Sequence, residues 1–173
     1  MPVSGAGVQS VTLFNITHTW ESDISILLQN PTGQNVILMS AVNGTDGGFG
    51  IQNKTYTFRD AAATGLNLAG PTNASGTYKP SNNSTTRNWP APGPGVVVQG
   101  VNPLLSTFNT DPNGTWKLYV YDAAGGDVGT IAGGYSIQFA VPGGPLGPGY
   151  SFLWIPAAGL NSNTSNPVSA SPA

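Results

Sequence analysis

The chain has 173 residues, within the range of a single domain with a sizeable core, and its formal net charge is -2 at pH 7. Only 7% of the residues are charged and the five basic ones are scattered, which excludes the basic patch that a nucleic-acid-binding face or an electrostatic membrane anchor requires. The absence of cysteine excludes disulfides, thiol catalysis and zinc-thiolate sites.

Short apolar runs bounded by turn residues predict β-strands in the first part of the chain. The runs are VTLFNIT at 11–17, DISILLQ at 23–29 and NVILMSA at 35–41, and NPTG at 30–33 predicts a turn before the last of them. The 24 glycines and 15 prolines disfavour helices. No apolar run approaches the ~20 residues of a membrane-spanning helix.

Two later segments alternate between apolar and polar residues. In TWKLYVYD, Trp116, Leu118 and Val120 share one face, and in YSIQFAV one face carries Ile137 and Phe139. A period of two is typical of half-buried antiparallel strands. We therefore predict an all-β sandwich or jelly roll with these five residues in its core.

Two stretches depart from this pattern. Residues 80–103 are rich in Pro, Asn and Gly and predict a long surface excursion from a domain at 1–141. Residues 142–173 predict a Pro/Gly/Ser-rich C-terminal arm, in which PGGPLGPG is a spacer. The next segment, YSFLWI at 150–155, is rich in residues that favour β-strands. We predict that it packs either on the domain's own sheet or on an open sheet edge of a neighbouring subunit. The predicted contact residues are Tyr150, Phe152, Leu153, Trp154 and Ile155.

Five signatures occur in a familiar order: ITHTWESDISILLQNPTGQNVIL, TYTFRDAA, SGTYKP, PLLSTF and NGTWKLYVYDAAGGDVGTIAGGYSIQF. Residues 8–141 thereby resemble the P domain that follows the catalytic domain of kexin- and furin-like proprotein convertases. The resemblance implies an antiparallel jelly-roll sandwich of about eight strands that is not catalytic and stabilises a neighbouring protease. It also places Trp20 and Trp116 in the core. This chain departs from the family in its long 80–103 stretch and in its C-terminal arm.

The segment DAAGGDVG at 122–129 lies between two predicted strands. A phosphate-binding loop would need a lysine and a following helix, and neither is present, so we predict a structural hairpin. The alternative is a calcium ion held by Asp122 and Asp127 with backbone carbonyls, and Asp23 and Asp60 are further candidate ligands. Calcium takes about six to eight oxygen ligands, so two aspartates would be only part of a site. No other cofactor is predicted.

No catalytic residues are predicted. His18 is the only histidine, no Gly-x-Ser-x-Gly elbow is present, and each of the seven acids lies next to a turn or a strand end. We therefore expect a protein that is not an enzyme. Eight Asn-x-Ser/Thr sequons occur, at Asn15, Asn43, Asn53, Asn73, Asn82, Asn83, Asn113 and Asn163. They are interpreted either as glycosylation sites or as turn residues that lead into strands.

Three functions remain open. The leading prediction is a structural subunit on the surface of a large assembly, either a virion decoration protein or an extracellular filament or layer subunit. Its partners would be neighbouring protein subunits, in a homo-oligomer or a capsid or filament lattice, at a virion surface or outside the cell. One alternative is an accessory P domain of a secreted protease or exoenzyme. The other is a carbohydrate-binding module, for which Trp89 is the aromatic residue to test.

Overall fold

A computed structural model describes residues 7–43, 50–69, 72–83, 86–109 and 111–140. They belong to the first of two units of the chain, Met1–Pro142, and the second unit is Gly143–Ala173. The predicted contact residues of the C-terminal arm, 150–155, lie outside the described residues, so their role stays a prediction.

The described residues form β-strands and two short 3₁₀ turns, at Glu21–Asp23 and Leu105–Thr107, which confirms the all-β prediction. None of their helical segments is long and apolar enough to cross a membrane. The strands are β1 Val8–His18, β2 Ile24–Gln29, β3 Asn35–Ser40, β4 Ile51–Phe58, β5 Gly76–Tyr78, β6 Ser81–Asn82, β7 Thr86–Trp89, β8 Gly95–Val98, β9 Lys117–Asp122, β10 Gly129–Ile131 and β11 Tyr135–Phe139.

The strands form two main sheets and one hairpin. In the first sheet β1 pairs with β4 on one side and with β11 and β10 on the other, and β5 follows β4. The second sheet has the order β6-β3-β2-β9, and β7 pairs with β8 in a separate hairpin. The pairings are antiparallel except for β4 with β5 and β3 with β6. The sheets share one apolar core, in which side chains of β1, β2, β3 and β4 are fully buried.

A β-bulge in β1 brings extra apolar residues into this core. The pairing of β1 with β4 shifts between Leu13 and Ile16, where Asn15 has a φ of 55°. Asparagine tolerates this left-handed conformation better than most residues. Leu13 and Ile16 would face opposite sides of a regular strand, but the extra residue lets both be buried.

The segment 80–103 covers the outer face of the second sheet. It contains β6 and the β7–β8 hairpin, and Trp89 and Val97 of that hairpin are buried against Leu27 of β2 and Ile37 of β3. This corrects the prediction of a surface excursion. The sequence TRNW followed by GVVV alternates as a hairpin does, with Val96 and Val98 exposed and Val97 buried.

The predicted core residues separate into two groups. Trp116, Leu118, Ile137 and Phe139 are partly buried and pack against the core. The prediction was wrong for Trp20, which is 40% exposed, because it precedes the first 3₁₀ turn and Glu21 points inward instead.

The prediction was also wrong for Val120, which is 55% exposed because β9 is an edge strand. The side of the domain formed by β9, β10 and β11 is in fact buried only in part. We call its apolar side chains the seam: Trp116, Leu118, Val120, Ile131, Ile137 and Phe139.

Candidate functional site

A cavity of about 340 Å³ opens beside the seam, between β9 of one sheet and β10 of the other. We call it the inner cavity. Its mouth carries His18 and Asp122, and its apolar wall is formed by Ile16, Ile24, Ile26, Val120 and Ile131. The sandwich is therefore not closed along this side, and apolar side chains line the opening.

His18 is buried at the mouth of the inner cavity and both of its ring nitrogens are engaged. Nδ1 lies 2.8 Å from the carbonyl oxygen of Trp20 and 3.1 Å from the amide nitrogen of the same residue. Nε2 lies 3.2 Å from Oδ2 of Asp122. A histidine that activates a side-chain nucleophile needs one ring nitrogen directed at that nucleophile. The contacts of His18 instead join the end of β1 to the end of β9.

Three aspartates meet at this end of the domain. Oδ1 of Asp127 accepts a hydrogen bond from the Thr19 hydroxyl at 2.8 Å, and Oδ1 of Asp122 accepts one from the Ala124 amide at 3.3 Å. Burial raises the pKa of Asp23, and the negative charges of Asp127 and Asp122 raise it further. The end of β9 therefore carries a concentration of negative charge.

The predicted calcium ligands do not come together as a set of four. Asp60 lies apart from the other three, because its Oδ1 accepts the Leu105 amide at 2.7 Å and its Oδ2 accepts the Ser106 amide at 2.9 Å. Its role is to cap the second 3₁₀ turn. Within the described ranges, no group of three or more His, Cys, Asp and Glu side chains is placed to hold a metal ion.

The loop between Asp122 and Gly129 is not the predicted hairpin. β9 pairs with β2 in one sheet and β10 pairs with β1 in the other, so the loop carries the chain from sheet to sheet. Period-two alternation shows that two segments are strands, but it does not show whether they pair with each other.

A second cavity, of about 380 Å³, lies on the other face of β9. We call it the outer cavity. It is lined by Trp89 and the proline-rich turn after it, together with the four residues 118–121 of β9. Trp89 is 1% exposed and its ring stands 6.4 Å from that of Tyr121. A ring this deeply buried offers no face for stacking on a sugar, so Trp89 does not support the carbohydrate-binding alternative.

Sequence reasoning missed a buried acid. Glu21 is 0% exposed, and its Oε1 accepts hydrogen bonds from the Tyr56 hydroxyl at 2.9 Å and from Nδ2 of Asn73 at 3.3 Å. Burial raises the pKa of Glu21, and burial together with the charge of Glu21 raises the pKa of Tyr56. No spacing in the sequence marks Glu21 as different from the other acids near turns.

The sequons differ in exposure. The side chains of Asn43, Asn73 and Asn82 are buried, so the folded domain cannot carry glycans there. Asn163 lies outside the described residues, and the exposed sequons are Asn15, Asn53, Asn83 and Asn113.

Comparison with known proteins defines the class of this domain. The family model of the proprotein convertase P-domain matches residues 8–138. The chain therefore belongs to the proprotein convertase P-domain family, which confirms the resemblance seen in its motifs. No significant match was found among curated proteins or among solved structures.

Proposed function

We propose that the chain is a non-catalytic accessory domain that packs against a neighbouring catalytic domain and stabilises it. The observation that carries this proposal is the family match over residues 8–138. The match favours the accessory alternative over the subunit of a virion, filament or layer, for which it offers no support. It also supports a secretory or extracellular location and jelly-roll connectivity as parts of the proposal.

The environment of His18 supports the non-catalytic part of the proposal. The chain has one histidine, and its two ring nitrogens contact the backbone of Trp20 and the carboxylate of Asp122. Neither contact brings His18 to a serine, threonine or cysteine side chain that it could activate. The histidine thus serves to hold the fold at the mouth of the inner cavity.

The seam supports the packing part of the proposal. Burial of apolar surface contributes about 25 cal/mol per Å², so a domain with partly exposed core residues gains free energy when a neighbour covers them. Val120 is 55% exposed, and the other seam residues are only partly buried. A folded neighbour placed on this side would complete the core of the accessory domain while being stabilised itself.

Co-expression with a protease domain encoded by the same organism tests the proposal. We expect the chain to lengthen the half-life of the protease activity at raised temperature. Val120→Lys, which places a charge in the seam, should remove the effect. Thr77→Lys, an exposed position on β5 at the far edge of the first sheet, is the matched control and should keep it. Equal half-lives with and without the chain, or hydrolysis of peptide or ester substrates by the purified chain alone, would contradict the proposal.

A further inference from the structure

We propose that the free edge of β9 binds an extended segment of a partner protein, with apolar side chains entering the inner and outer cavities and a Lys or Arg beside Asp122. This inference rests on the proposed function, because it states where and how the accessory domain binds its partner.

The edge of β9 is free along its length in the described part of the chain. β9 is the last strand of the order β6-β3-β2-β9 and pairs only with β2. The Ala123 amide donates to the Asp23 carbonyl at 3.0 Å, continuing the same register. Hydrogen-bonded pairs alternate in an antiparallel ladder, so Leu118, Val120 and Asp122 direct their amide and carbonyl groups away from β2. These groups form a template for an added strand.

The two cavities lie on opposite faces of this edge. Val120 lines both the inner cavity of about 340 Å³ and the outer cavity of about 380 Å³, whereas Tyr119 and Tyr121 line only the outer one. Successive side chains of an added strand point to opposite faces of the sheet. A residue opposite Val120 therefore enters the inner cavity, and its neighbours enter the outer cavity. In strand addition, pockets that receive alternate side chains provide the specificity.

The charges along β9 select a basic partner segment. Asp122, Asp127 and Asp23 lie together at one end, where their charges act on one another, and Lys117 lies at the other end. A Lys or Arg opposite Asp122 would relieve this repulsion. Residues 143–173 contain no Lys or Arg, so the chain's own C-terminal arm does not supply the cation.

A second copy of β9 does not supply the cation either. If two copies of β9 paired about a twofold axis at Val120, Leu118 of one copy would stand opposite Asp122 of the other, because only outward-facing residues can bond to each other. An apolar side chain would then face the acidic end. The charge pattern thus favours a different protein over a copy of this chain.

Peptide binding to the full-length chain tests the inference. The probe is the fluorescein-labelled hexapeptide Arg-Val-Leu-Thr-Leu-Ser with blocked termini, measured by fluorescence polarisation at low salt. Antiparallel to β9, it places Arg opposite Asp122 and its first Leu opposite Val120. We expect saturable binding that slows hydrogen exchange at the amides of Leu118, Val120 and Asp122.

Two altered peptides separate strand addition from apolar adhesion. N-methylation of the first Leu removes one main-chain hydrogen bond and should weaken binding about tenfold or more. Replacement of Arg by Glu should weaken it about fivefold at low salt, because a charge pair becomes a repulsion. Equal affinity for the parent and N-methylated peptides would overturn the inference, as would the absence of saturable binding.

Two variants of the chain test which backbone amides of β9 point away from β2. In Val120→Pro the lost amide points away from β2, so the domain should fold and fail to bind the probe. In Tyr119→Pro the lost amide belongs to the ladder with β2, so the melting temperature should fall well below that of Val120→Pro. Undiminished binding by folded Val120→Pro contradicts the inference.

The remaining outcomes assign the edge to another occupant. Tighter binding of a peptide of residues 150–155 than of the basic probe would assign the edge to the chain's own arm and overturn the inference. If the chain dimerises and Val120→Pro abolishes the dimer, the edge of β9 binds a second copy of the chain, and this would also overturn the inference. A chain that protects a protease from heat but does not bind the probe leaves the proposed function intact and removes only this inference.

Discussion

The two sides of the sandwich differ in how completely they are buried. Around β1, β2, β3 and β4 most apolar side chains are buried, and Leu13, Leu28 and Phe58 are fully buried. Along β9, β10 and β11 the seam is partly open, and a cavity separates the sheets. On the first side, β1, β2, β3 and β4 each pair with a neighbouring strand on both edges. On the second side, β9, β10 and β11 are edge strands of the two sheets. We therefore expect the closed side to provide most of the stability, and we propose the open side as the place where a partner binds.

The largest expected effect is on the closed side. Phe58 is fully buried in β4, so Phe58→Ala should lower the free energy of unfolding by about 3–5 kcal/mol. Denaturant unfolding of the full-length chain measures it. A loss of less than about 1 kcal/mol would show that the closed side is no better packed than the seam.

A smaller loss is expected at the junction of the two sides. Trp116 packs on Phe108 and Phe139 and donates its indole N–H to the Pro112 carbonyl at 2.8 Å, but it is only partly buried. Trp116→Ala should therefore lower the free energy of unfolding by about 2–3 kcal/mol, less than a fully buried aromatic residue would. A loss equal to that of Phe58→Ala would mean that Trp116 belongs to the closed side.

The buried acid of the closed side predicts a pH dependence. Burial raises the pKa of Glu21 above the ordinary value of 4.5, so the folded state binds a proton that the unfolded state releases. The contribution of Glu21 to stability is therefore fully present below pH 4.5 and is lost as the pH rises through the raised pKa of the folded state.

Glu21→Gln provides the comparison, because it keeps the shape and cannot ionise. The difference in unfolding free energy between wild type and Glu21→Gln, measured by denaturant titration from pH 4 to pH 8, should shift in favour of the variant as the pH rises. A difference that does not change with pH would show that water reaches Glu21.

The smallest effect on stability is expected at Val120, the most exposed residue of the seam. Because Val120 is 55% exposed, Val120→Ala should change the free energy of unfolding by less than about 0.5 kcal/mol. A loss above about 1.5 kcal/mol would indicate that Val120 is covered in solution.

Local patterns predicted the strands, but not all of their partners. Alternation identified β9 and β11, and apolar runs identified β2 and β3 within one or two residues. The bulge at Asn15 was missed because nothing in LFNIT, residues 13–17, indicates an extra residue. The loop at 122–129 was misassigned because strand pairing is set by distant segments. The segment 80–103 packs on the outer faces of β2 and β3. The apolar sequences of β2 and β3 predict that both strands are buried, but they do not show which segment of the chain covers them.

The site was less predictable than the fold. Asp23, Asp122 and Asp127 were singled out as acids and do lie together, whereas Asp60 caps a turn elsewhere. The cavities on either side of β9 are formed by residues more than twenty positions apart in the chain, among them Ile16, Trp89 and Ile131. Only the folded structure brings these residues together.

Residue-resolved hydrogen exchange of the free full-length chain is the direct test of whether β9 is an open edge. We expect exchange rates to alternate along β9: the amides of Tyr119 and Tyr121 bond to β2 and exchange slowly, while those of Leu118 and Val120 point outward and exchange fast. Uniform slow exchange of all four amides in the free chain would show that the edge of β9 is already covered and that no partner segment can add to it.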